Sequence, residues 1–161
     1  MKTLFVIVAA AAVAAAIALP ASAQAPYPGA KAPIAVYADT VSGATGAVKA
    51  ARGCTQYSNW RRGQRVVFRV WAVDSGTGQA LGADSAAYAY VKIPGQPNLK
   101  LNWGPHGAVG AKVNFWSAGW TVPADYPLGV VAFKVVLKTD DGRFGTYVQP
   151  PIASAQMTVI P

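Results

Sequence analysis

The sequence predicts an all-β protein, an antiparallel β-sandwich of about seven strands, and three observations predict it. Apolar residues alternate with other residues through the stretches 65–73, 116–122 and 131–138, which sorts side chains onto opposite faces of a strand. Clusters of Gly, Pro and Asp punctuate these stretches at short intervals, as turns between strands require. Beyond residue 23 the chain shows no sustained helical period, no heptads and no internal repeat.

Taken in order, residues 33–38 alternate Ile34, Val36 and Ala38 on one face and predict a first edge strand. Residues 39–53 are rich in Gly, Ala, Ser and Thr and read as a loop, with a short helix over 47–51 as the alternative. Arg62-Gly63-Gln64 is turn-like. In the strand that follows, Val66, Phe68, Val70 and Ala72 share one face, and Val67, Arg69, Trp71 and Val73 the other. The next strand spans 83–92, with Ala87, Ala89, Val91 and Ile93 opposite Tyr88, Tyr90 and Lys92, and Pro94-Gly95 turns it. Leu99 and Leu101 mark a short strand, and the Gly/Pro-rich run 102–110 reads as a loop.

Trp116, Ala118, Trp120 and Val122 then face away from Ser117, Gly119 and Thr121. Pro123 and Pro127 have no N–H to give a ladder, so the pairing must break there. Gly129 can supply a positive φ. Val131, Phe133, Val135 and Leu137 form the buried face of a strand whose other face carries Lys134, Val136 and Lys138. Asp140-Asp141-Gly142 is a hairpin turn signal, because Asp and Gly tolerate positive φ. Pro150-Pro151 interrupts the chain, and 155–160 gives a last strand with Met157 and Val159 facing one way.

The order strand, P-A-D-Y-P-L-G, strand, D-D-G-R, strand resembles the last three strands of bacterial immunoglobulin-like domains, over about a third of the chain. Separately, R-G-Q-R-V-V-F-R-V followed by a D-x-x-T-G turn is similar to a strand of macroglobulin/filamin-type modules, over about thirty residues. The resemblance implies an immunoglobulin-like β-sandwich spanning 33–161. It also implies that Tyr126, near a strand corner, ties the chain back through its hydroxyl. The disulfide and central Trp of antibody domains are absent, so only the broad architecture carries over, and architecture does not name a function.

The N-terminus supplies an address. Lys2 precedes a long apolar run, and Ala21-Ser22-Ala23 has the small residues that signal peptidase requires. We expect a cleavable signal peptide over 1–23, a flexible segment over 24–32, and a periplasmic or secreted product. An uncleaved anchor is the alternative and would be the chain's sole attachment to a membrane, since no second apolar stretch is long enough to span one. Without the leader the chain carries thirteen Lys/Arg, six Asp and no Glu, a formal charge of +7. Such a charge suits a larger exported protein or an acidic polymer, and anionic headgroups likewise. Nucleic acid is a poor match outside the cytoplasm.

The inventory of catalytic groups is thin: one His, one Cys and no Glu. There is no G-x-S-x-G elbow, no H-x-x-x-H pair, no C-x-x-C-H and no phosphate-binding Gly loop. Paired carboxylates would have to be Asp140 and Asp141, which read as a turn. The expectation is a non-enzymatic protein without a cofactor. Cys54 and His106 are the sharpest single residues. They could form a thiolate–imidazole site for copper or another soft metal, with Met157 as a third ligand. A second His is missing and the Cys lies far from the C-terminus, against the blue-copper pattern. Cys54 has two other fates, an intermolecular disulfide or burial as a small hydrophobe.

Trp60, Arg61, Arg62 and Arg65 cluster before a strand whose outer face continues with Arg69 and Trp71. Arg and Trp stack and are favoured in binding hot spots. The expectation is therefore an interaction or accessory module that presents this basic, aromatic surface to a partner. The alternatives are a carbohydrate-binding module, for which Trp103 is a further aromatic, and a small metal or redox accessory protein built on Cys54 and His106. The plainer account is aromatic packing under loops with solvated Arg tips. Tyr88, Tyr90 and Lys92 form a similar face elsewhere.

Overall fold

The computed structural model describes residues 31–43, 56–107, 110–152 and 156–161. The expected signal peptide over 1–23, most of the segment 24–32, the optional helix at 47–51 and Cys54 lie outside the described residues. Strands dominate: β1 (Ile34–Ser42), β2 (Asn59–Arg61), β3 (Arg65–Asp74), β4 (Ala86–Lys92), β5 (Leu99–Lys100), β6 (Asn102–His106), β7 (Val113–Thr121), β8 (Gly129–Val130), β9 (Lys134–Thr139), β10 (Phe144–Val148) and β11 (Thr158–Ile160). The helical content among the described residues is one 3-10 turn, Ala83–Ser85, ahead of β4. Among the described residues eleven strands stand where about seven were expected, several of them only two or three residues long.

The first sheet has the order β1-β3-β7-β6 and the second β10-β9-β4-β5, both antiparallel throughout. A third, small sheet β2-β11-β8 contains a parallel pair, β2 with β11. The inner faces of the two larger sheets share one core. Val66, Phe68, Val70 and Ala72 of β3 are buried, as are Trp116, Ala118 and Trp120 of β7 and Val135 and Leu137 of β9. Phe68 meets Phe133 edge-on across the gap, with centroids 5.0 Å apart. The Trp116 indole N–H, buried there, donates to Leu81 O at 2.8 Å, so the core keeps that polar group satisfied.

The first residues of two expected loops are strand, 39–42 and 102–106. β1 continues through Thr40, Val41 and Ser42, paired with β3 as far as Ser42 opposite Val66. Thr40 is buried, and its hydroxyl donates to Tyr57 O at 2.7 Å, which removes the cost of burying it. The Gly/Pro-rich stretch supplies β6, paired with β7. As an edge strand it tolerates Pro105. The corners fall where the composition placed them. β7 ends at Thr121, before Pro123, and Gly129 (φ 111°) and Gly142 (φ 88°) occupy the left-handed region. Tyr126 is buried and its hydroxyl donates to Pro94 O at 3.2 Å. This tie runs to a distant segment rather than to a neighbouring turn. Burial raises the Tyr126 pKa above its usual value.

Arg143, just past the β9–β10 turn, joins that turn to the far end of β3. Its guanidinium donates to Asp74 Oδ2 at 2.6 Å, to Asp141 Oδ2 at 2.9 Å and to Ala32 O at 3.0 Å. The Arg143 hydrogen bond holds Asp74 below the ordinary aspartate value, and the Thr139 hydroxyl, then Arg143, does the same for Asp141. Depressed carboxylate pKa values contribute stability that is complete above the unfolded value and fades as pH falls through the folded one. The stability advantage of the native protein over Arg143→Gln should therefore be full near neutrality. It should shrink as the pH drops below about 4. Urea midpoints of the two proteins, measured across that range, check this; a gap that widens in acid would contradict it.

Candidate functional site

The outer face of the first sheet is built by side-chain parity. Arg65, Val67, Arg69 and Trp71 point away from the core because Val66, Phe68, Val70 and Ala72 point into it. The register sets Tyr37 and Asp39 of β1 opposite Trp71 and Arg69 on one side. On the other side Ser117 and Gly119 of β7 face Arg69 and Val67. β6 adds His106 beyond Val113.

Four rings thereby form a row across the strands. Tyr37 to Trp71 is 5.7 Å between centroids, Trp71 to Phe115 is 5.2 Å, and Phe115 to His106 is 4.1 Å with the planes 18° apart. Tyr37 is 55% exposed, so the row opens to solvent at its β1 end. His106 Nε2 also lies 3.2 Å from Ser117 Oγ, which fixes the ring against the sheet. Beside the row is a concavity of about 660 Å³, lined by Arg65, Arg69, Trp71, His106, Val113 and Phe115 among others.

The two arginines of this face differ. Arg69 pairs in a fork with the Asp39 carboxylate, Nε to Oδ1 at 2.8 Å and Nη2 to Oδ2, and its Cζ lies 5.6 Å from the Trp71 ring centroid. The carboxylate offsets its charge, and the pair steadies the indole. Arg65 lies along β7: a Cβ placed on Gly119 would come within 2.7 Å of its Cζ, and one on Gly43 within 2.9 Å of its Cγ. Two glycines leave the room its side chain occupies. Among the described residues the Arg65 guanidinium has no ion-pair partner.

The remaining residues expected at this surface lie elsewhere. Trp60 is 1% exposed and packs edge-on to Tyr57 at 5.8 Å. Its place on an exposed patch is thus corrected: β2 carries it inward through pairing with β11. Arg61 is exposed in the β2–β3 corner. Arg62 donates twice to Tyr126 O, at 2.9 and 2.7 Å, which makes it a clamp on the Pro-rich corner. Trp103 packs half-buried against Trp116 at 5.5 Å. Met157 is buried on the inner side of the first sheet while His106 stands on its outer side. Among the described residues no group of three or more His, Cys, Asp or Glu is placed to hold a metal.

Tyr37, Phe115, Ser117 and Gly119 are members of the face that residue-by-residue reasoning did not select. The outward parity of Phe115, Ser117 and Gly119 was available from the buried Trp116 and Trp120. What was not available is the strand order that sets them beside Trp71. The chain matches no protein-family model, no characterised protein and no solved structure.

Proposed function

We propose that the protein is an exported, non-catalytic binding module with an immunoglobulin-like sandwich fold, which holds an acidic segment of a larger periplasmic or cell-surface protein on the outer face of its first sheet. The observation that carries this is the ring row Tyr37–Trp71–Phe115–His106 in a concavity beside the Arg65 guanidinium, which has no ion-pair partner among the described residues. Rings already held in contact lose little freedom on binding, and an arginine without a partner has its full charge to offer a carboxylate. Export rests on the leader and its A-x-A site, and the fold assignment on two four-stranded sheets around one core with the Tyr126 tie. No cofactor is required.

A poly-glutamate peptide is a suitable first probe, with tryptophan fluorescence as the signal and Trp71→Phe as the control that assigns it. Binding should be saturable, and Arg65→Gln should weaken it about tenfold. Gly119→Ala should do the same by pushing the guanidinium off the sheet, with little change in urea midpoint. A flat titration, or binding indifferent to Arg65→Gln, would remove the proposal. The ring row favours a second reading, a carbohydrate-binding module. In that case uncharged polysaccharide, not the peptide, should perturb Trp71, and the effect should survive Arg65→Gln.

A further inference from the structure

The outer face of the second sheet carries a different chemistry. Register lines up Tyr88, Lys138 and Phe144 across β4, β9 and β10. It lines up Lys92, Lys134 and Val148 in a parallel row, and sets Lys100 of β5 opposite Tyr90 between them. These residues have the parity opposite to Ala89, Val91, Val135 and Leu137, which are buried. Four lysines from three strands therefore share one face.

The lysines are interleaved with rings. Lys138 Nζ lies 6.0 Å from the Tyr88 centroid and 5.5 Å from that of Phe144, and Lys92 Nζ lies 5.4 Å from Tyr90. Tyr88 and Tyr90 stack at 5.3 Å. Among the described residues none of the four lysines is in an ion pair, and no outward position of these strands holds an Asp. Asp140 and Asp141 lie in the turn beyond Thr139, and Asp141 is engaged by Arg143 and Lys31. The cations thus repel one another with nothing in this sheet to offset them.

An anionic partner is indicated by charge, and the apolar side chains select its kind. Phe144 is 57% and Val148 69% exposed, and Val148 shares a depression with Val130, Lys92 and Lys134. A polysaccharide gains nothing from an exposed Val. A bilayer offers phosphates to lysines, an interfacial layer to tyrosines and a hydrocarbon boundary to Phe and Val, all in one plane. We propose that this face docks on a bilayer surface rich in anionic phospholipid.

The test is co-sedimentation of the protein, as isolated from the cells that produce it, with vesicles of phosphatidylcholine alone or mixed with phosphatidylglycerol. The neutral vesicles report any contribution of residual leader. Partitioning onto the mixed vesicles should be stronger and should fall with salt. Lys134→Gln/Lys138→Gln should weaken it about 30-fold, at about fivefold per lysine near the surface. Phe144→Ser/Val148→Ser should also weaken it, by about tenfold. All four positions lie at the surface of the sheet, and unchanged circular dichroism would verify the fold. Equal partitioning on both vesicles, indifference to the lysine pair, or binding to heparin without binding to vesicles would overturn the proposal. Arg65→Gln should leave vesicle binding intact, which keeps this outcome distinct from that of the first-sheet face; loss of vesicle binding in Arg65→Gln would place the lipid on the wrong side and overturn it as well.

Discussion

Phe68→Ala should lower the free energy of unfolding by about 3–5 kcal/mol. Phe68 is fully buried on β3, the strand that has β1 on one side and β7 on the other. Its ring reaches across the core to Phe133, which leads into β9 of the opposite sheet. Removing it withdraws apolar area and leaves a void between two sheets whose hydrogen-bonded ladders resist collapse. Against a total stability of about 5–15 kcal/mol, the loss is a large fraction. The urea midpoint should drop with little change in slope. A double-mutant cycle with Phe133→Leu should return a coupling of about 0.5–1.5 kcal/mol for the edge-on ring pair. A Phe68→Ala protein within about 1 kcal/mol of the native one would mean that the sheets do not meet through these rings.

Gly145→Val should lower the melting temperature by about 5–15 °C. Gly145 is buried in β10, opposite Leu137. A Cβ there would lie 2.6 Å from Ile34 Cγ2 and 2.6 Å from Val36 Cγ2 of β1. Both neighbours are β-branched and have few rotamers into which to retreat. The missing side chain is what lets the edge of the second sheet settle against the edge of the first. Gly145→Ala should show a milder form of the defect, and adding Val36→Ala should restore part of the loss by removing one of the two obstructing methyls. Thermal unfolding of the three variants checks the order; a Gly145→Val protein as stable as the native one would show that β10 stands clear of β1.

Alternation along a strand is a local property, which is why the buried faces of β3, β7 and β9 were legible residue by residue. The same parity put Arg65, Arg69 and Trp71 outward. Strand pairing is not local. Trp60 lies in a cluster of arginines and looked like a surface residue, yet it is internal because β11, far along the chain, draws β2 inward. Thr40 and Ser42 looked like loop residues because hydroxyls usually mark loops, and the tertiary hydrogen bond of Thr40 to Tyr57 is what offsets the burial of the Thr40 hydroxyl. Half of the ring row, and the neutralisation of Arg69 by Asp39, depend on β1 and β7 flanking β3. No pattern within one strand carries that order.

Pro105 sits in β6, the outermost strand of the first sheet on that side. Its ring nitrogen has no hydrogen to offer an incoming chain, so the strand is a poor template for growth. At the opposite margin β1 lies against β10, and β5, the last strand of the second sheet, is two residues long. Among the described residues the margins of the two larger sheets therefore offer little open backbone on which copies of this molecule could polymerise, and this disfavours fibril growth through them even in a concentrated solution.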